Sequence, residues 1–211
     1  MKKIKNVQNR PGFSICKFLY LIIFRVIITF PLQNLAAQTF LDSAIQQLKL
    51  KEHDTAKINL LNFISSEYSS LQPDTALYFA VEASLLAEEI NYKKGLGYAL
   101  LRQATIEVNR GQHEEAMEKL LKSNEIAEEI EDFDLLGFNY LKISLINRKE
   151  GDYFLAIEKI LKAIDLFSLT SNKNGMSKAF INIGNISFLR GNYPASLNYY
   201  FEALKLLEQL N

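Results

Sequence analysis

The sequence predicts an all-α fold built as a solenoid of stacked helix–turn–helix repeats. Three observations predict it. Glycines recur at Gly111, Gly151 and Gly191, with a spacing of 40 residues both times. The apolar residues between them follow the i, i+3, i+4, i+7 rule of a helix that buries one face, as in Ala156, Ile157, Ile160, Leu161, Ala163 and Ile164. No stretch alternates apolar and polar residues with period two, so no sheet is expected. Self-similarity at a fixed period of this size is the mark of units that stack because none can bury its apolar face alone.

The repeat extends beyond its glycines. Five residues after each glycine stands a small residue, Ala116, Ala156 or Ser196, and one step earlier Leu71 and Ala76 take the same two places. Further columns read Leu77, Met117, Ile157, Leu197; Val81, Leu121, Leu161, Phe201; Ala83, Ser123, Ala163, Ala203; and Leu86, Ile126, Leu166, Leu206. Leu61, Leu101, Leu141 and Ile181 line up before the turns. Four repeats follow, at about 55–92, 93–132, 133–172 and 173–211.

Taken in order, a short leading helix near 40–50 (Phe40, Leu41, Ala44, Ile45, Leu48) is expected to cover the apolar end of the first repeat. First helices are expected near 55–70, 95–110, 135–150 and 175–190, and second helices near 74–90, 114–130, 154–170 and 194–210. The glycine between each pair suits the left-handed residue that ends a helix. Asp152 and Asn192 can cap the helix that follows, and Pro73 and Pro194 fit its first turn, where a missing N–H is harmless. Small residues let helices approach closely: Ala104, Ser144 and Gly184 in first helices, Ala76, Ala116 and Ala156 in second helices. Gly95-Leu96-Gly97 reads as a helix start, because a nucleotide loop needs a preceding strand and a third glycine.

Residues 1–37 read differently. The chain has 24 Lys plus Arg and 24 Asp plus Glu, but Lys2, Lys3, Lys5, Arg10, Lys17 and Arg25 precede residue 38 and the first acid is Asp42. The other 174 residues carry 18 basic and 24 acidic groups, a net −6, which argues against a nucleic-acid partner. A basic head, an apolar run over 15–31 and the exit Leu35-Ala36-Ala37-Gln38 make a secretory signal peptide, with cleavage expected after Ala37. The expected location is then exported, in the periplasm of a bacterium, and free of the membrane after cleavage. Arg25 interrupts the run, and the run is nearly as long as the ~20 residues that span a bilayer. An uncleaved inner-membrane anchor at 15–31 is therefore the competing reading; a third is that the assigned start is not the true one. Cys16, the single cysteine, follows Phe13-Ser14-Ile15 and so lacks a lipobox. The mature part has no cysteine, which fits an exported protein stabilised without disulfides.

The repeats resemble the tetratricopeptide repeat. Gly151-Asp152-Tyr153 with Ala156 and Ala163 matches the family's turn and second-helix signature, as do Gly184, Gly191-Asn192-Tyr193 and Ala203. The second repeat is looser (Ala104, Gly111-Gln112-His113, Ala116); in the first, Leu71-Gln72-Pro73 replaces the turn and Ile64 the small residue. The resemblance covers about 55–211. It implies a right-handed superhelical solenoid whose first helices line an inner groove, the usual partner surface. The period is 40 rather than the family's usual ~34. This variant is similar to the exported N-terminal sensory region of bacterial histidine kinases and helix-turn-helix regulators.

One inner row stands out. Nine positions before each turn lie Asn62, Arg102, Lys142 and Asn182, all donors, with Ile58, Tyr98, Phe138 and Lys178 four residues earlier on the same face; Arg148 and Asn185 extend the row. Such donors suit an extended peptide or an acidic terminus, and a solvated polar face is the plainer alternative. Some family members hold carboxylate-ending peptides this way, but Leu61 and Ser65 differ from that pattern in the first repeat, so that role is not carried over. No catalytic constellation, cofactor motif or metal spacing is found: His113-Glu114-Glu115 has no second histidine at i+4, His53 stands alone, and the acidic run from Glu125 to Asp134 lacks the central glycine of a calcium loop. That run reads as a solvated helix end, and the tyrosines and phenylalanines as mostly core. Leu204, Leu206, Leu207 and Leu210 of the last helix would face a further repeat, so the chain is expected to be part of a longer repeat protein or to self-associate through this edge. The expected role is a non-catalytic protein- or peptide-binding scaffold; the alternative is the sensor region of a split or truncated signalling protein.

Overall fold

The computed structural model describes residues 43–48 and 54–210, so the expected signal segment 1–37, with Cys16 and Arg25, and also His53, lie outside the described residues. The chain divides into two compact units, Met1–Lys49 and Leu50–Asn211. In the first, residues 43–48 form a helix, α1. The second is the stack of repeats: α2 (Thr55–Tyr68) and α3 (Pro73–Glu89), α4 (Lys93–Arg110) and α5 (His113–Glu129), α6 (Phe133–Lys149) and α7 (Tyr153–Leu169), α8 (Lys173–Leu189) and α9 (Tyr193–Glu208). The described residues contain no strand. α2 begins at the expected residue, whereas α4, α6 and α8 begin two residues earlier than the apolar spacing suggests, with Lys93-Lys94 and Lys173-Asn174 occupying the opening turns of α4 and α8.

Turn chemistry sets the repeat. Gly111, Gly151 and Gly191 have φ of 80°, 89° and 75°, and the residue after each donates its N–H back five positions, as Asp152 does to the Asn147 carbonyl at 2.9 Å. The first turn has no such glycine and closes instead with a shorter bond, Gln72 N–H to the Tyr68 carbonyl at 2.8 Å. Asp152 and Asn192 cap α7 and α9 through the N–H groups of Leu155 and Ala195. Asp54, Asp132 and Asn172 do the same for α2, α6 and α8. The connectors between repeats turn through non-glycine residues in the left-handed region, Asn91, Glu131 and Ser171, with φ near +55° in each (54°, 54° and 56°).

Small residues and hydrogen bonds lock one helix to the next. Ala76, Ala104, Ala116 and Ala156 are fully buried and Ser144 nearly so. At Gly184 an added Cβ would lie 2.6 Å from the Tyr200 ring of α9. A Gly184→Leu substitution is therefore expected to cost about 1–3 kcal/mol by overpacking α8 on α9, read from urea denaturation. Gly95 and Gly97 do not merely start α4: a Cβ there would come within 2.6 Å of Ile58 and of Leu135, so these glycines let α4 sit against its neighbouring first helices. Buried polar groups are paired across repeats. Gln103 donates to the Ala80 carbonyl (3.2 Å), and Asn139 donates to Ser123, which donates to the Gly97 carbonyl (2.8 and 2.9 Å).

Contacts run from each helix to the next and between successive first helices: α2 with α4, α4 with α6, α6 with α8. Successive second helices make no such close backbone approach. Close packing on one side and separation on the other bends the stack, with first helices on the concave side. Residues 55–208 thus form an all-α solenoid of helix–turn–helix repeats.

The outer side carries two corrections. The acidic run is not simply solvated: Glu129 pairs with Lys93, Asp132 with Lys94 (2.9 Å), and Asp134 accepts from the Thr170 hydroxyl (2.5 Å). These contacts tie the start of a first helix to the end of the second helix in the same repeat. Several aromatic rings are surface rather than core: Phe154, Tyr193 and Phe201 on the outer faces of second helices, and Phe188 in the last turn of α8.

Candidate functional site

The concave face brings together part of the donor row. Arg102 of α4, Lys142 of α6, and Lys178 and Asn182 of α8 line one cleft of about 290 Å³. Leu101, Leu141 and Leu145 supply its apolar wall, and Phe138 lies among the charges. The 40-residue period aligns Arg102, Lys142 and Asn182 on successive first helices, and one helical turn adds Phe138 and Lys178. Phe138 is held from behind by Phe167 of α7, ring centroids 4.9 Å apart, and Lys178 Nζ stands 5.2 Å from the Phe138 centroid.

These cations have no acidic partner. The ion pairs among the described residues involve Lys93, Lys94, Arg110, His113, Lys119, Lys122, Lys159 and Lys162, and none of the three in the cleft. Arg102 Nε is buried without a hydrogen-bond partner. The Lys142 ammonium is pushed down to about 8, chiefly because burial withdraws its charged form from water, with repulsion from Arg102 and Lys178 adding to it. Burial also lowers Arg102, against the pull of Tyr98 and Glu67, yet a guanidinium stays charged. Lys178 is lowered by partial desolvation and by Arg102; the residue is exposed, so water screens part of the effect. An unpaired cation near the interior costs stability, whereas an anion seated beside it restores the lost solvation.

The other residues of the row are placed differently. Asn62 is 6% exposed and donates to the Gly95 carbonyl at 3.0 Å, so it joins the first two repeats instead of facing the groove. Ile58, beside it, is fully buried. Tyr98 lies one turn before Arg102, with Lys94 Nζ 5.9 Å from its ring; burial first, then Asp132 and Asp134, raise its hydroxyl so that it remains a donor. Asn185 turns to α9 and accepts from the Tyr200 hydroxyl at 2.7 Å. Arg148 stands in the last turn of α6, where a positive charge complements the helix carbonyls, and does not line the cleft.

Two larger, more open clefts of about 550 and 530 Å³ lie beside α7 and between α5 and α7, walled by residues such as Phe154 and Leu161 or Met117 and Leu121. They are bigger than the concave cleft, but each has a single Lys or Arg and carboxylates beside it. Lys159, in the second, already pairs with Glu158 (3.3 Å). Charge convergence, not volume, marks the concave cleft as the candidate site. Among the described residues no group of three or more His, Cys, Asp and Glu is placed to hold a metal ion, and no helix is long and apolar enough to cross a membrane.

No family model matches the chain, and no curated protein matches it. Among solved structures, the chain is similar to one described as the crystal structure of MamA, with 17% identity, coverage of 80% of this chain and 87% of that one, and a TM-score of 0.46.

Proposed function

We propose that this chain is a non-catalytic scaffold that captures an acidic protein or peptide segment in the concave cleft. The observation that carries the reading is the convergence of Arg102, Lys142 and Lys178 from three successive first helices with no carboxylate among them. A mildly acidic repeat domain that concentrates unpaired positive charge on its inner face is arranged to select an anionic partner and steer it in. The test is capture of an acidic peptide by the full chain and by an Arg102→Glu, Lys142→Glu double variant. Wild-type capture and its loss in the variant, with helicity unchanged, is the expected result; equal binding by both sinks the reading.

The proposal places the protein outside the cytoplasm, exported by its first 37 residues, with an uncleaved anchor at 15–31 as the alternative. The same cleft serves the second reading, in which the repeats are the sensory region of a bacterial signalling protein; the 40-residue period supports it. Leu204 of α9 and Leu210 just beyond it are exposed, which supports docking of a further repeat or a second copy at that edge.

A further inference from the structure

Three charges converge on the cleft, and a single carboxylate neutralises only one of them. Arg102, Lys142 and Lys178 pair with no acid among the described residues, and Arg102 Nε is buried without a partner. At about 290 Å³ the cleft sits at the lower limit of small-molecule sites, so it admits one side chain or one small molecule rather than a length of peptide. Its lining is mixed, with cations beside Phe138 and leucine side chains. The matching ligand carries two negative charges on a compact head and an apolar body behind it. A phosphate monoester has such a head: a charge of about −1.5 to −2 at pH ~7 and three strong acceptor oxygens, enough for one guanidinium fork and two ammonium groups.

We propose that the cleft between α4, α6 and α8 binds the doubly charged head of a phosphate monoester, with Arg102, Lys142 and Lys178 on its oxygens and Phe138 against its apolar body. This rests on the reading of the cleft as an anion site and narrows it from any acidic segment to a dianion.

The two ligand classes differ in pH dependence. A monoester loses its second proton near pH ~6, whereas a carboxylate is already ionised above pH ~4.5. Lys142 loses its proton near pH 8. The charges acting on Lys142 come from Arg102 of α4 and Lys178 of α8, Tyr98 and Glu67 act on Arg102, and no carboxylate acts on Lys142 directly. Phosphate affinity therefore rises through pH 6, levels off, and falls above pH 8; carboxylate affinity shows only the fall.

Calorimetric titration of the full chain with phenyl phosphate, benzoate and inorganic phosphate tests this, alongside a phosphoserine peptide and its glutamate counterpart. Phenyl phosphate is expected to bind roughly tenfold more tightly than benzoate, which has one charge, and than inorganic phosphate, which has no apolar body. Arg102→Gln should weaken it by about tenfold or more, and Lys142→Arg, which keeps the charge and the fold, should abolish the fall above pH 8. Tighter binding of the phosphoserine peptide than of phenyl phosphate assigns the phosphate to a protein, and the reverse order assigns it to a small molecule; either supports the site. Benzoate binding as tightly as phenyl phosphate, or phenyl phosphate binding untouched by Arg102→Gln, overturns the proposal. If the glutamate peptide still binds in that case, the broader acidic-partner reading stands; if it does not, both fall.

Discussion

Phe167→Ala is expected to cost about 3–5 kcal/mol, the largest stability loss of any single truncation in the stack. Phe167 is fully buried in α7, at the column where the first two repeats have Ala87 and Ala127. The larger ring fits because two glycines face it: a Cβ at Gly137 or Gly175 would lie 2.7 or 2.5 Å from its atoms. The ring thus wedges α6 and α8 together, and its removal leaves a cavity that two glycines cannot fill. Because each repeat contacts only its neighbours, the loss should concentrate in the third and fourth repeats, read as faster amide exchange over α6–α9 than over α2–α4. It should also weaken ligand binding, since Phe167 supports the Phe138 ring that lies among the cleft cations. Denaturant melts showing a change under about 1 kcal/mol would mean that the wedge is not what holds these repeats together.

Much of this fold was legible in the sequence. The 40-residue columns placed the small residues that let helices close on each other, and the glycine turns marked where each pair folds back. Other features were hidden for physical reasons. Glu131 and Ser171 take left-handed conformations that their side chains do not favour, so nothing local announces them. Gly95 and Gly97 stand in the first turns of a helix, where glycine reads as a start signal, although their real use is contact with Ile58 and Leu135. Periodicity put Arg102, Lys142, Asn182, Phe138 and Lys178 on one face, and these five line one cleft. It also included Asn62, whose partner is a backbone carbonyl 33 residues away, and Asn185, whose partner is a tyrosine on the next helix. A repeat column gives the direction of a side chain but not what it meets.

The second large effect is on binding. Arg102→Glu with Lys142→Glu replaces two of three like charges by their opposites, turning a cleft of about +3 into one near −1 below pH 8. Truncating one partner of a buried charge contact costs about 2–5 kcal/mol, so reversing two is expected to weaken acidic-peptide capture by at least about 100-fold. Neither residue holds an ion pair in the fold, so the variant should keep wild-type helicity. The same change at Lys122 and Lys162, on the outer helices and paired with Glu118 and Glu158 (2.8 and 3.1 Å), should leave capture near wild type. Equal losses at the two pairs would show that net charge, not the cleft, governs binding.

The central claim is that this solenoid keeps cations unpaired on its concave face for an anionic ligand. Lys142 reports on it directly. Its folded pKa, about 8, lies below the ordinary lysine value, so between about pH 8 and 10.5 the unfolded chain binds more protons than the folded one. Stability contributed by this group rises with pH across that window, and its cost is fully present below pH 8. An NMR titration of Lys142 in the full chain, free and with acidic peptide, is predicted to give a midpoint near 8 that moves upward when the peptide binds. A midpoint in the ordinary lysine range of about 10.4, unmoved by peptide, would contradict the account.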